Sequence, residues 1–482
     1  MRRLFSNKAI KLGAIAITFV AARCANKPPV NPPNVVIIFT DDQGYNDLSC
    51  YGSTLVNTPN IDKMASEGVR LTSFYVQALC SPSRAALLTG SYPRRIGLAT
   101  GSRYSVLWSN DEHGLNPDEI TIAELLKKKG YATAIFGKWH LGDQPEFLPT
   151  KQGFDEFFGL PYSVDMHPYH PNQANFHFPP LPLYEGEVVI ETDPDIDFMT
   201  QRITERAVHF IDSHKDSPFF LYIPHPMPHV PLHVSPPFMK LADAEIRNKL
   251  KEEKGFVDYE TRNKLYPLVI SEIDSSVGEI FKALKRNGLE KNTLVIFTSD
   301  NGPLKLNGSA KPLRGEKGSC YEGGVRVPAI AWWPGKIPPK YVCDEMLSSM
   351  DLYPTIARLA GVEIPNDRIL DGMDIWPVLS KVPGARSPHD KLFYHVGNTL
   401  CGVRSGKWKL HRTTSDGLEL YDLENDISEQ KNVVKEYPEV VKRLEGYMNE
   451  FDLEMSDVTK IRPMGVAHRS NNKRKTRKEN KN

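Results

Sequence analysis

Four apolar runs, each stopping abruptly on a cluster of polar residues, limit the possible fold of this chain more than any other feature. Residues 35–40 run into Asp41-Asp42, 131–136 into Gly137-Lys138-Trp139-His140, 219–223 into Pro224-His225-Pro226-Met227-Pro228-His229, and 294–298 into Ser299-Asp300-Asn301-Gly302. The runs are short and rich in β-branched and aromatic residues, as strands are, and helical patterns separate them. Such strands, apolar on both faces and alternating with helices, form a largely parallel sheet covered on both sides. Residues 329–332 read as one more strand. Residues 118–129 predict a helix opened by Pro117 and Asp118, striped by Ile122, Leu125 and Leu126 and ended by Gly130, and 265–286 predict a longer one.

In an open α/β sheet the ligand crevice lies beyond the carboxyl ends of the strands, so the four polar clusters are expected to meet at one site. Carboxylates, an amide, lysine and histidine together make a metal and anion site. Asp41, Asp42, Asp300 and Asn301 offer only oxygen, which suits a hard cation such as Ca²⁺ or Mg²⁺ better than zinc. An adjacent aspartate pair is often just a turn or helix cap. At the end of a buried strand, however, uncompensated carboxylates are costly, and that favours a ligand role.

The most informative segment is Cys80-Ser81-Pro82-Ser83-Arg84-Ala85-Ala86-Leu87-Leu88-Thr89-Gly90. Pro82 fits the first turn of a helix and Gly90 its end. That places Cys80 at a helix N-terminus, where backbone N–H groups favour an anion, with Arg84 one turn on along the same face. A thiol so placed is expected to have a lowered pKa, which leaves a plain thiolate nucleophile open.

The spacing Cys80-x-Pro82-x-Arg84, followed by Thr89-Gly90, resembles the signature of the type I sulfatases, whose cysteine is oxidised after translation to formylglycine. Gly137-Lys138-Trp139-His140-Leu141-Gly142, Gly159-Leu160-Pro161-Tyr162-Ser163, Thr298-Ser299-Asp300-Asn301-Gly302, Leu313-Arg314-Gly315-Glu316-Lys317-Gly318 and Glu322-Gly323-Gly324-Val325-Arg326-Val327-Pro328 resemble that family's blocks, in its order and nearest to its arylsulfatase A-like branch. The resemblance spans roughly residues 34–440. It implies an α/β, alkaline phosphatase-like fold: a large mixed, mostly parallel sheet between helices, with a small C-terminal antiparallel sheet and helix. It also implies hydrolysis of sulfate monoesters and a formylglycine-generating maturation enzyme as partner; the export signal and the wide loop repertoire favour sulfated carbohydrates over aryl sulfates as substrates. Asp41, Asp42, Asp300, Asn301 and the modified Cys80 would hold one Ca²⁺. Arg84 would anchor the formylglycine hydrate, Lys138 and Lys317 would bind sulfate oxygens, and Ser163 would touch the sulfate. His140 would assist sulfate release and His229 would protonate the leaving alcohol. Asp165 and His167, in the Pro-rich segment after Ser163, are candidate substrate contacts, and His225 a candidate for the pocket wall. Phosphate or phosphonate ester hydrolysis on the same fold is an alternative, as is a non-catalytic binder of sulfated glycans should Cys80 stay unmodified.

Charge and ends complete the expectations. The chain has 60 Lys and Arg and 59 Asp and Glu; residues 1–27 hold six basic and no acidic residues and 461–482 hold eight and one, leaving 46 against 58 between them. An acidic body is not that of a nucleic-acid binder. Residues 1–22, basic and then apolar over 12–22, have the layout of an export signal with small residues before a cleavage point at Ala22. Cys24 offers a lipid anchor as an alternative, although Arg23 is an unusual neighbour for one. This layout implies a periplasmic or extracellular location, and no later run is long enough to span a membrane. The expected organisation is a signal peptide at 1–22, a linker at 23–33, a catalytic domain at 34–370, a C-terminal subdomain at 371–460 and a basic disordered tail at 461–482. Hairpin strands over 403–410 and 418–423 and a helix over 438–451 belong to the subdomain. The pairing of Cys50, Cys320, Cys343 and Cys401 cannot be read from their spacing.

Overall fold

A computed structural model describes residues 32–99, 106–251, 258–413 and 417–467. The expected signal segment, Cys24 and most of the linker therefore lie outside the described residues, as does the tail from 468 onward. No helix among the described residues is long and apolar enough to cross a membrane.

The centre is an 11-stranded mixed sheet. Its strands in chain order are β1 (Asn34–Thr40), β2 (Val69–Tyr75), β3 (Ala132–Lys138), β4 (Glu156–Leu160), β5 (Pro182–Glu185), β6 (Val188–Thr192), β7 (Phe219–Pro224), β8 (Thr293–Ser299), β9 (Arg326–Trp332), β10 (Tyr341–Cys343) and β11 (Leu347–Ser348). The spatial order is β10-β2-β9-β8-β1-β7-β3-β4-β5-β6, with β11 also on β2. β8, β1, β7, β3 and β4 are mutually parallel, and all seven residues of β1 and of β8 are buried. The register aligns the carboxyl ends that matter: Thr40 pairs with Ser299, and Phe39 with both Thr298 and Pro224. One apolar core lies on each face of the sheet, under α1 (Pro59–Glu67), α4 (Met199–Ser213) and α5 (Tyr266–Arg286) on one side, and under α2 (Cys80–Thr89), α3 (Ile122–Lys127) and α6 (Leu352–Ala360) on the other.

Three expectations shift. The run at 329–332 is part of β9, but it pairs antiparallel with both β8 and β2. The helix expected over 118–129 starts at Ile122: Thr121 caps it in a reciprocal capping box with Glu124, while Glu119 N–H closes a turn onto Asn116. The capping box satisfies the free N–H groups of the first turn, which Pro117 and Asp118 do not. The basic segment beginning at 461 is packed as far as Ala467. Gly465 and Val466 pair with Gly114 and His113, and Arg462 Nε donates to Glu119 Oε1 at 2.6 Å.

A second, antiparallel sheet of β12 (Leu392–Val396), β13 (Thr399–Ser405), β14 (Trp408–Arg412) and β15 (Leu418–Asp422) packs with α7 (Pro438–Glu454). Leu410, Leu420, Leu444 and Met448 form its core, which continues into Ala86 of α2 and Tyr92. A disulfide joins Cys320 to Cys401 on β13, while Cys50 and Cys343 are free.

Candidate active site

The polar clusters do meet beyond the carboxyl ends of β1, β3, β7 and β8. Gly137, in β3, has φ +137°, and a side chain there would strike the Pro224 carbonyl at 2.0 Å; its lack of one lets β3 run close beside β7 and bring Lys138 into the site. Asp42 and His140 both adopt left-handed backbone, with φ of 67° and 61°. Such conformations are uncommon for residues with side chains and gather at functional sites.

Asp41, Asp42, Cys80 and His229 each place one ligand-capable atom within 4.8 Å of the others. Cys80 opens α2, with its Sγ 4.0 Å from Asp42 Oδ1, and Gly90 ends that helix in the left-handed conformation. Lys138 Nζ donates to Asp41 Oδ2 at 2.6 Å and to Ser163 Oγ at 3.1 Å. Lys317 Nζ donates to Asp42 Oδ2 at 2.8 Å. Asn301 Nδ2 donates to Asp42 Oδ1 at 2.7 Å, and Asp42 N–H to Asp300 Oδ1 at 3.0 Å. Arg84, fully buried, donates to Asp300 Oδ2 at 2.8 Å and to the Lys138 carbonyl at 2.7 Å. The three carboxylates Asp41, Asp42 and Asp300 are thus faced by three cations, Arg84, Lys138 and Lys317.

The residues fit a hard cation. Asp41 Oδ1 and Asn301 Oδ1 are buried oxygen acceptors with no hydrogen-bond partner, and orphaned acceptors of this kind imply an absent ligand. Burial and the Asp41 carboxylate push Asp300 up to about 7, against the pull of Arg84. Asp41 itself, despite its burial, is held well below the usual carboxylate range by Lys138, His229 and Arg84. A divalent cation would relieve the crowding that raises Asp300.

Two histidines carry opposite potential roles. His140 Nε2 lies 2.9 Å from the Leu107 carbonyl, which can only accept, so Nε2 carries the proton in the neutral ring and Nδ1 carries the lone pair. That Nδ1 is buried and unpartnered. Burial, with Lys138 and Arg84 beside it, keeps His140 well below the ordinary histidine pKa, which favours the neutral ring. His229 Nδ1 lies 2.7 Å from the Val230 carbonyl, which turns its Nε2 toward Asp42 Oδ2 at 3.6 Å.

Burial raises the Cys80 thiol despite the opposing lysines Lys138 and Lys317. The direction is the opposite of the lowering expected from a helix N-terminus, because burial disfavours the charged thiolate.

Cys80, His140, Ser163, Asp165, His229 and Lys317 line one cavity of about 360 Å³. His167 and His225 do not. His167 turns its Nδ1 back to the Tyr169 N–H at 3.0 Å, while His225, just past β7, faces α5 with Nε2 3.4 Å from Ser276 Oγ. The outer wall is instead formed by Trp108, Met166, His170, Phe176 and Phe178. The aromatic residues among these have no periodicity to signal their role; the length of the irregular segment after Ser163 hints at Phe176 and Phe178, and nothing in the sequence hints at Trp108.

A nucleophile position opening a helix, set among carboxylates and cations beyond a mostly parallel sheet, defines an alkaline phosphatase-like hydrolase of anionic esters. The sulfatase family model matches residues 33–362, and a model described as N-sulphoglucosamine sulphohydrolase, C-terminal, matches 316–454. N-acetylgalactosamine-6-sulfatase of Mus musculus is 38% identical over 403 residues, covering 80% of this chain and 72% of that protein. Arylsulfatase A of Homo sapiens is 40% identical over 372 residues, covering 72% and 68%. The crystal structure of Ps i-CgsB in complex with k-i-k-neocarrahexaose superposes with a TM-score of 0.75 at 31% identity, covering 94% of this chain and 98% of that one. The chain belongs to the sulfatase family and is a sulfuric ester hydrolase. That family generally works with formylglycine and a divalent metal.

Proposed function

We propose that this protein is exported and removes sulfate from sulfated carbohydrates, with Cys80 converted to formylglycine by a maturation enzyme and one Ca²⁺ held by Asp41, Asp42, Asp300 and Asn301. The observation that carries the reading is the position of Cys80: it opens a helix, its side chain lies within 4.0 Å of Asp42, and it lines the cavity together with His140, His229 and Lys317. The carbohydrate substrate is supported by relatives named for N-acetylgalactosamine 6-sulfate and for a carrageenan-type oligosaccharide complex. Export rests on the layout of residues 1–22.

The bound cation would supply fixed positive charge to the sulfate oxygens. The formylglycine hydrate would supply two hydroxyls on one carbon, one to attack sulfur and one to let the intermediate collapse, which a cysteine or serine cannot do. The chain's own residues do the rest. Lys138 and Lys317 neutralise the charge that spreads over the sulfate oxygens as the S–O bond breaks. Arg84 is locked on Asp300 and the Lys138 carbonyl and remains a fixed cation beneath the nucleophile. Ser163 Oγ, held by Lys138, orients the ester. His140 Nδ1 takes the proton of the second hydroxyl, and His229 Nε2 gives one to the departing alcohol, a step worth about 10²–10⁴-fold.

Mass spectrometry of the tryptic peptide containing Cys80, from protein made in its native host, is expected to show the aldehyde; an intact thiol would sink the mechanism. The Cys80→Ala variant is expected to hydrolyse 4-nitrophenyl sulfate no faster than buffer. Wild type should prefer that ester to 4-nitrophenyl phosphate, and the opposite preference would favour a phosphoesterase.

A further inference from the structure

Besides Cys80, His140, His229 and Lys317, the cavity is lined by residues of two kinds. The first is Asp165, whose Oδ1 is shielded from solvent and has no hydrogen-bond partner. Its charge is secured: burial raises its pKa, but His229, Ser163, Lys138 and Lys317 outweigh that and hold the carboxyl below its usual range. The second kind is aromatic. Trp108 meets Phe176 edge-on with centroids 5.0 Å apart and Phe178 at 5.3 Å, and His170 packs on Phe176 at 4.9 Å. Phe178 is anchored by two bonds to Gln173, Gln173 Nε2 to its carbonyl at 2.8 Å and its N–H to Gln173 Oε1 at 2.9 Å. The cluster is therefore fixed before any ligand arrives.

A carboxylate with one unpartnered oxygen in a cavity that an aromatic cluster also lines asks for a ligand with both characters. A flat aryl group would cover the aromatic wall and leave Asp165 Oδ1 desolvated and unpaired, a loss of the size of a missing charged hydrogen bond. A pyranose ring has both: C–H groups on its face and hydroxyls at its edge. Asp165 lines the same cavity as His229, which puts it with the ring that bears the sulfate and not several sugars away. An anionic substituent at that place would meet a carboxylate.

We propose that Asp165 and the Trp108–Phe176–Phe178 wall form a subsite for the pyranose ring that bears the sulfate, with Asp165 accepting a hydrogen bond from a free hydroxyl next to the ester and repelling a second sulfate there. The inference rests on the sulfatase reading of the same cavity and adds two things to it: the leaving group is a sugar with an unsubstituted neighbouring hydroxyl, and vicinally disulfated rings are poor substrates.

The test uses the mature, formylglycine-bearing protein and Asp165→Asn, which keeps size and hydrogen-bonding capacity but removes the charge. kcat/KM is measured on 4-nitrophenyl sulfate, on monosulfated galactose, N-acetylgalactosamine, N-acetylglucosamine and fucose, and on the deoxy and vicinally disulfated forms of the sugar turned over fastest. Wild type is expected to lose about thirtyfold or more on the deoxy sugar, as sites built to bind a substrate hydroxyl do. In Asp165→Asn the ratio of sugar to aryl activity falls by a similar factor, mainly through KM, and discrimination against the disulfated sugar relaxes. Trp108→Ala lowers the same ratio less. Equal losses of Asp165→Asn on sugar and aryl sulfate, a deoxy sugar cleaved as fast as its parent, or wild type that cleaves the aryl sulfate and none of the sugars would each overturn the subsite while leaving the sulfatase reading intact. Wild type inactive on every sulfate ester would overturn that reading instead.

Discussion

Two clusters of buried charge lie on either side of the segment that carries Lys317, and they are built to opposite specifications. In the first, beside the C-terminal sheet, every carboxylate oxygen is engaged. Glu322 Oε1 accepts from Lys409 Nζ at 2.7 Å, and its Oε2 from Tyr75 Oη at 2.6 Å and Arg326 at 3.0 Å. Glu429 Oε1 lies 2.7 Å from His411 Nε2, and its Oε2 accepts from the Glu322 N–H at 2.7 Å. Lys409, Arg326 and Arg404 hold Glu322 well below the usual range in spite of its burial. In the second cluster, around Cys80, Asp41 Oδ1, Asn301 Oδ1, Arg84 Nε and His140 Nδ1 have no partners, and Asp300 is pushed up to about 7 by burial and its fellow carboxylates. Burial of charge is common to both, so burial does not mark the active site. The two differ in how their charges are matched: the first, saturated cluster ties two sheets together with every carboxylate oxygen bonded, and the second leaves an acceptor on Asp41 and one on Asn301 of the kind the proposed cation would use.

The largest expected effect comes from breaking the saturated cluster. Lys409→Met keeps most of the side-chain volume but leaves Glu322 without a cation at Oε1, and removing one partner of a buried ion pair costs about 3–5 kcal/mol. Urea unfolding should record that loss, and the double change Glu322→Gln with Lys409→Met should recover part of it. A loss under about 1 kcal/mol, the value of a surface pair, would mean the cluster is not the clamp its geometry describes.

Filling the second cluster should have the opposite consequence. Ca²⁺ at about 100 times its dissociation constant is expected to stabilise the protein by about 2.7 kcal/mol, since it binds only the folded state. Asp42→Asn should remove that gain, whereas Lys409→Met should lower the baseline and keep the gain. Absence of any calcium-dependent shift in wild type would refute the cation site independently of activity.

The contrast also explains what the sequence could convey. Strand cores such as Val35 to Phe39 and Leu294 to Phe297 bury both faces, and that requirement is written directly into composition; the convergence of the polar clusters at their carboxyl ends is a consequence of the same parallel sheet. The candidate catalytic positions Asp41, Cys80, Lys138, His140 and Asp300 are legible because each sits at a fixed offset from a strand end or helix start. β2 is not, because Val-Arg-Leu-Thr-Ser-Phe-Tyr mixes polar residues into a strand that one antiparallel neighbour completes. The saturated cluster is invisible for a related reason: Tyr75, Glu322, Lys409 and Glu429 are far apart in the chain, and only the packing of β14 against the Lys317 segment makes them neighbours. His167 and His225 have the right residue type in the right segment, but backbone turns one or two residues long decide which way they face.

The contrast that separates the clusters most cleanly is the sign of their pH dependence. Between about pH 4 and 7 in metal-free protein, Asp300 keeps a proton in the folded state that the unfolded chain has released, because its folded pKa of about 7 exceeds the ordinary 3.8. The unfolded state then binds fewer protons, so this term lowers stability as pH rises through that window, by at most about 1.4 kcal/mol per pH unit. Glu322 acts in reverse. Its folded pKa is depressed below the ordinary 4.5, so its contribution is complete above about pH 4.5 and is lost as pH falls further. Subtracting the urea stability of Asp300→Asn from that of wild type, in chelator, should give a difference that declines from pH 4 to 7; the same subtraction for Glu322→Gln should be flat above about pH 4.5 and fall only below it. Added Ca²⁺ should flatten the Asp300 curve alone, because a bound cation lets that carboxyl ionise in the folded state, whereas Glu322 already has its cations in the chain.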